Sequence, residues 1–249
     1  MKKNLNGLNI TYRYHKGDGT PILLLHGWGG NLNSFRFLES FLIQKNHSVI
    51  TIDFPGFGGS DMPLETFKLD DYYKIVSELL IAENIQKVNI VAHSFGGRVA
   101  LLFAYNEPQK LNKLVLVDSA GLKPKFSLVK KFKIMRYKFL KKLKEKGLIK
   151  RDLIKYGSED YKAMPQNLKP VFTKIVNCHL DYTLSSITSP TLIVWGKDDD
   201  ATPFYMAKKL NKNIKDSAII KLDGGHFAYL QNADKFAIIV DNFFSKENV

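Results

Sequence analysis

The chain has 249 residues, of which 45% are hydrophobic and 24% charged, proportions that support a large core without disulfide or metal staples. Cys178 is the single cysteine, which excludes an intrachain disulfide and a cysteine-based metal site. No run of about 18 apolar residues occurs, which excludes a membrane-spanning helix. The net charge of +13 is concentrated in one place, because residues 123–155 hold fourteen Lys/Arg against only Glu145 and Asp152.

Lys2 and Lys3 are followed by no apolar stretch of the signal-peptide kind. With a lone cysteine, this makes a cytoplasmic location the expectation. Ile10, Tyr12 and Tyr14 then alternate with Asn9, Thr11 and Arg13, the pattern of a strand with one buried face. Residues 22–25 are all apolar, which suits a strand of a parallel sheet covered on both faces. A loop, His26-Gly27-Trp28-Gly29-Gly30, and a helix over 33–44 follow. The cycle repeats with a strand at 49–52, a glycine-rich turn at 53–60 and a helix near 70–84 with Tyr72, Ile75, Val76, Leu79 and Leu80 on one face. A strand at 88–92, a helix at 96–105 and a strand at 114–117 ending at Asp118 come next. Later elements are a strand at 191–195, a helix at 204–211, a strand at 218–222 and a helix at 233–244.

Strands alternating with helices imply βαβ units and a mostly parallel sheet. The alternation breaks between 122 and 183, where no strand-like run appears. Leu128, Phe132, Met135, Phe139 and Leu143 recur there at helical steps, an apolar stripe with lysines on the other faces. The expected organisation is a core domain of residues 1–121 and 184–249 interrupted by a helical lid, 122–183.

The sharpest chemical signal is Ala92-His93-Ser94-Phe95-Gly96-Gly97, placed directly between a strand and a helix. Such a turn lifts a serine hydroxyl to the end of the sheet and aims the next backbone N–H at a reacting carbonyl. The first small position is Ala92 where the G-x-S-x-G pattern has glycine. A serine needs a base, and His226 is the candidate among six histidines, in a loop after the last strand with two glycines before it. His93 adjoins Ser94, but neighbouring side chains diverge at a sharp turn. His26 is expected to make structural hydrogen bonds under its loop, and His15, His47 and His179 have no supporting context. The base needs an acid to hold its tautomer. Asp198, Asp199 and Asp200 follow one strand and Asp118 ends another, and local chemistry does not choose among them. An oxyanion needs two donors, and the N–H groups of Trp28 and Phe95 are the expected pair.

The motifs HGWGG at 26–30, DFPGFGGS at 53–60, AHSFGG at 92–97, WGKDDDATP at 195–203 and GGH at 224–226 resemble the α/β-hydrolase superfamily over nearly the whole chain outside the insert. The resemblance implies an α/β-hydrolase fold, with a mostly parallel eight-stranded sheet flanked by helices and a helical lid after the sixth strand. It implies a serine hydrolase whose residues run in the order Ser, Asp, His. In the pattern W-G-x-x-D-x-x-x-P the aspartate falls on Asp199, which makes Ser94, Asp199 and His226 the expected catalytic set.

Similar proteins include carboxylesterases, lactonases, proline iminopeptidases and hydrolases that cleave carbon–carbon bonds in ring-fission products. The last group usually shows Asn before its serine, where this chain has His93. Epoxide hydrolases and haloalkane dehalogenases use an aspartate nucleophile, and Ser94 argues against both. The resulting expectation is cleavage of a small-molecule carboxylic ester through an acyl-enzyme on Ser94, with no metal or organic cofactor. A carbon–carbon hydrolase, a proline iminopeptidase-like enzyme and a non-enzymatic binding protein are the alternatives. For the basic segment 123–155 the readings are a solvated surface, weak contact with an anionic membrane surface, and attraction of anionic substrates. Nucleic-acid binding is not expected, because no recognition motif accompanies the basicity.

Overall fold

Eight strands form one sheet in the order β1-β2-β4-β3-β5-β6-β7-β8. The computed structural model describes residues 1–64, 66–125, 135, 136, 139, 140, 142, 143, 161 and 164–245. Their elements run β1 (Lys2–Leu5), β2 (Leu8–His15), β3 (Asp18–Leu25), α1 (Arg36–Gln44), β4 (His47–Ile52), α2 (Leu69–Ala82), β5 (Val88–His93), α3 (Phe95–Asn106) and β6 (Leu111–Val117), then α4 (Lys169–Val176), β7 (Thr191–Gly196), α5 (Tyr205–Asn213), β8 (Ser217–Leu222), α6 (Ala228–Gln231) and α7 (Ala233–Ser245). The β1–β2 and β2–β4 pairs are antiparallel and all other pairs are parallel. This is the α/β-hydrolase fold that the motifs imply.

The apolar runs become intelligible at the sheet. Side chains of a strand alternate between faces, so a run buried on both sides feeds two cores. Leu23, Leu25, Ile90, Ala92, Leu114, Leu116, Ile193 and Trp195 pack into one core with α2, α3, α4 and α5. Ile22, Leu24, Val91, Val115, Val117, Leu192 and Val194 pack into the other with α1, α6 and α7. Each fully buried aliphatic side chain contributes roughly 1.5–3 kcal/mol relative to exposure, so the central parallel strands supply the rigid frame on which the site is built.

The first strand, β1, lies outside the alternation read at residues 9–14, since Lys2, Lys3 and Asn4 carry no apolar period. Its signal is instead Asn6-Gly7, whose φ values of +47° and +78° join β1 to β2. Two positive φ angles mark the hairpin turn that Asn-Gly favours.

The insert lies between β6 and β7. Its described residues include α4, a 3₁₀ turn at Gln166–Leu168 and a second at Asp181–Ser186. The insert is tied to the core at its base. The Arg98 guanidinium of α3 donates to the carbonyls of Cys178 and Val176, at 2.5 and 3.4 Å. Lys123 N–H donates to Asp181 at 2.9 Å, and Asp181 also pairs with Lys209 of α5. Of the expected apolar stripe, Met135 and Phe139 are exposed, so the stripe faces solvent at these positions. Leu128, Phe132 and most of the basic segment lie outside the described residues. Among the described residues, no helix is long and apolar enough to cross a membrane.

Candidate active site

Strand β5 is buried along its whole length and hands directly to α3 through Ser94. Ser94 has φ +48° and ψ −108°, close to the first central position of a type II′ turn, which glycine dominates. A non-glycine residue held there carries strain of about 1–3 kcal/mol. The turn is over-determined by its surroundings. Ser94 N–H donates to Val117 at 3.0 Å, while the Ser94 carbonyl accepts from Gly97 and Ala120, each at 3.0 Å. A Cβ on Gly96 would stand 2.2 Å from the Leu25 carbonyl oxygen, and one on Gly97 2.0 Å from Ser119 Oγ. These glycines let α3 start hard against the neighbouring strands. The methyl of Ala92 is accepted with no exposure.

Ser94 Oγ lies 2.9 Å from His226 Nε2, and His226 Nδ1 lies 2.9 Å from Asp199 Oδ2. A carboxylate only accepts, so Nδ1 carries the ring proton and Nε2 presents its lone pair to the serine hydroxyl. The three residues come from three strand ends: β5, the loop after β7 and the turn after β8. A parallel sheet puts all such ends at one edge.

Asp199 is 4% exposed. Burial pushes its carboxyl up, but hydrogen bonds from His226, the Thr202 hydroxyl and the Thr202 amide outweigh this and hold it below the ordinary carboxylate range. Ala201 N–H and Thr202 N–H donate to Oδ1 at 2.8 and 2.9 Å, and the Thr202 hydroxyl to Oδ2 at 2.5 Å. Thr202 thus belongs to the surroundings of Asp199, although the motif around it marks only the aspartate. Its signal is the Asp-x-x-Thr spacing, in which an aspartate caps amide groups two and three residues on. Asp118, the other strand-end acid, bonds Gly196 N–H at 2.7 Å and stands beside Asp199, so Asp199 is the carboxylate that meets the histidine.

Two further histidines frame the site without joining the chain of hydrogen bonds. His93 points away from Ser94 and donates from Nε2 to the His226 carbonyl at 2.9 Å, with its ring 4.8 Å from the His226 ring. Burial, and next the neighbouring His226, push it down to about 3, so it stays neutral. His26 donates from Nδ1 to the Gly27 carbonyl at 2.7 Å and accepts Phe54 N–H at 3.0 Å. It is the structural prop expected under its loop, and burial pushes it down to about 4.

The loop after β3 abuts the nucleophile turn, for a Cβ on Gly27 would stand 2.6 Å from His93 Nδ1 and 3.4 Å from Ser94 Cβ. Asp53 holds the loop from below by accepting Leu32 N–H at 2.6 Å and Gly59 N–H at 2.8 Å. The amides of Trp28 and Phe95 donate to no described residue, so both stay available to an external acceptor. The Trp28 ring packs against Phe57, Phe95 and Phe172 of α4, at centroid distances of 4.9, 5.2 and 5.0 Å. An aromatic wall therefore runs from the serine to the insert. Among the described residues, no cluster of His, Cys, Asp or Glu is arranged to hold a metal.

Comparison with known proteins agrees with this architecture. A family model described as alpha/beta hydrolase fold matches residues 20–145. The chain is 26% identical over 254 residues to the AB hydrolase superfamily protein YisY of Bacillus subtilis (strain 168), covering 91% of this chain and 92% of that one. It is 27% identical over 272 residues to a 2-hydroxy-6-oxo-6-phenylhexa-2,4-dienoate hydrolase of Comamonas testosteroni, covering 97% and 93%. Among solved structures, the esterase EaEST of Exiguobacterium antarcticum superposes with a TM-score of 0.79 at 21% identity, covering 98% of this chain and 99% of that one.

Proposed function

The chain belongs to the α/β-hydrolase family, and from that premise we propose that it is a serine hydrolase acting on the carboxylic ester, or a related acyl bond, of a small molecule. The observation that carries this reading is the unbroken hydrogen-bond chain Ser94 Oγ–His226–Asp199, with both distances 2.9 Å.

The chemistry follows from that chain. His226 Nε2 takes the hydroxyl proton as Ser94 Oγ bonds to the acyl carbon. The carbonyl oxygen becomes an oxyanion, which the N–H groups of Trp28 and Phe95 stabilise; each such donor is worth roughly 10²–10³ in turnover. Collapse breaks the bond to the leaving group, which receives the proton from His226. Water then loses a proton to His226 and attacks the acyl-enzyme, and the acid product departs as Ser94 regains its hydrogen. One ester and one water become one acid and one alcohol. Asp199 keeps the imidazole in the right tautomer and stabilises its charged form.

A second reading is carbon–carbon bond hydrolysis, favoured by the likeness to the dienoate hydrolase over nearly the full chain. His93 before the serine stands against it. The test is labelling with a fluorophosphonate, followed by turnover of p-nitrophenyl esters of increasing acyl length and of a ring-fission dienoate. Labelling and ester turnover that vanish in Ser94→Ala support the first reading. A wild-type protein that resists the label, or a Ser94→Ala protein that keeps full activity, overturns it.

A further inference from the structure

Asp118 ends β6 beneath the loop that carries Asp199, and it is wholly buried. Its backbone sits at φ +43°, a conformation uncommon for residues other than glycine. Oδ1 accepts Gly196 N–H at 2.7 Å, whereas Oδ2 is buried and has no hydrogen-bond partner among the described residues. The Thr202 hydroxyl lies between the two residues, 3.0 Å from the Asp118 backbone carbonyl and 2.5 Å from Asp199 Oδ2. The Asp199 carboxylate stands near enough for its charge to act on the Asp118 carboxyl.

Ionised carboxyls accept and cannot donate, so two of them side by side, one wholly buried with an oxygen that no donor reaches, are relieved by a proton on one. The donors decide which group holds it. Asp199 receives four, from Ala201 N–H, Thr202 N–H, the Thr202 hydroxyl and His226 Nδ1–H. The Asp118 carboxyl receives one. The charge therefore rests on Asp199 and the proton on Asp118. Building on the serine-hydrolase reading, we propose that Asp118 is a proton-bearing positioning residue, whose neutral carboxyl donates to Asp199 so that the buried pair carries a single negative charge, held beside His226.

The surroundings are consistent with one charge. Burial pushes the Asp118 carboxyl up to about 8; the Gly196 N–H pulls the other way, and the Asp199 charge adds to the rise. The other titratable groups facing the pair are His226 after β8, His93 at the end of β5 and Tyr229 of α6. His93 and Tyr229 are both held neutral by burial. Below about pH 8 the pair carries one negative charge. Above it Asp118 ionises, and two repelling carboxylates lie under the imidazole. Ionisation also removes the hydrogen bond that Asp118 donates, so the repelled Asp199 carboxylate no longer holds the imidazole in register and acylation slows.

The experiment compares kcat/KM on p-nitrophenyl acetate between pH 6 and 10 for the wild type, Asp118→Asn and Asp118→Ala, beside the infrared C=O stretch of protonated carboxyl groups. In the wild type, kcat/KM is expected to fall with an apparent pKa of about 8, and a buried carboxylic-acid band is expected to bleach over the same range. Asp118→Asn, neutral and near-isosteric, is expected to lack both the band and the alkaline fall while staying within about tenfold of wild type at pH 7. Asp118→Ala should lack both as well, with lower activity throughout. The proposal is overturned if Asp118→Asn keeps the same alkaline fall, if a folded Asp118→Asn is inactive at pH 7, or if the wild type shows no titrating acid band. The band needs neither turnover nor a folded variant, so it decides the proton on Asp118 even if the ester-hydrolase reading fails at Ser94→Ala.

Discussion

Replacing Ser94 by glycine and, separately, by alanine isolates the strain in the nucleophile turn. Both variants lose the hydroxyl and its 2.9 Å contact with His226, so the difference between them reports only the Cβ at φ +48° and ψ −108°. A side chain in such a conformation costs about 1–3 kcal/mol. Against this, glycine gives the unfolded chain extra freedom worth about 0.4–1 kcal/mol. At the middle of both ranges Ser94→Gly is more stable than Ser94→Ala by about 1.3 kcal/mol, and at the upper end by about 2.6 kcal/mol. At about 2–4 °C per kcal/mol for a chain of this size, the middle value corresponds to melting temperatures about 3–5 °C apart. Calorimetry gives the temperatures, and urea titrations with equal slopes confirm that both variants expose the same surface on unfolding. Both variants should be inactive. An alanine variant as stable as the glycine variant would show that the hydrogen bonds to Val117, Gly97 and Ala120 hold an unstrained turn, and the account of serine placement would fail.

Other consequences are open to direct measurement. His226→Gln is expected to lower kcat on a p-nitrophenyl ester by about 10⁴-fold or more while leaving the fold intact; steady-state kinetics and circular dichroism check both halves. Thr202→Val removes the hydroxyl that donates to Asp199, and a hydrogen bond to a charged group is worth about 1.5–3 kcal/mol. The expected result is a stability loss of that order with a fall of about tenfold or more in kcat/KM, and an unaffected protein would remove Thr202 from the site. Gly96→Ala forces a methyl against the Leu25 carbonyl oxygen and should destabilise by more than about 2 kcal/mol, read from the urea midpoint. For pH, His26 and His93 have ordinary values of 6.5 that folding lowers to about 4 and about 3. The unfolded chain binds more protons below 6.5, so their stabilising contribution is full above pH 6.5 and is lost as pH falls toward 4 and 3. Urea midpoints between pH 4 and 7 should rise with pH, and less steeply in His93→Asn than in the wild type.

Much of this molecule is written locally. Residues 22–25, 88–92, 114–117 and 191–195 are apolar without interruption, and only a strand covered on both faces uses such a run without leaving half of it in water. Ser94 is legible for a similar reason: a small residue, a serine and two glycines between strand and helix describe a turn too tight for other side chains. Local patterns fail where partners are distant. Asp118 and Asp199 both end or follow a strand, and nothing within either segment says which meets His226, since that depends on how β6, β7 and β8 align at the sheet edge. The same holds for His93, which looks like a neighbour of the serine and instead braces the carbonyl of a residue far along the chain. It holds too for Arg98, whose guanidinium anchors the insert through carbonyls that no side-chain pattern encodes. Hydrophobic period and turn chemistry are properties of adjacent residues, so the chain alone specified the sheet and the nucleophile turn. Hydrogen bonds between strand ends depend on register, twist and burial together, so only the folded structure decided which acid meets His226 and which carbonyl His93 braces.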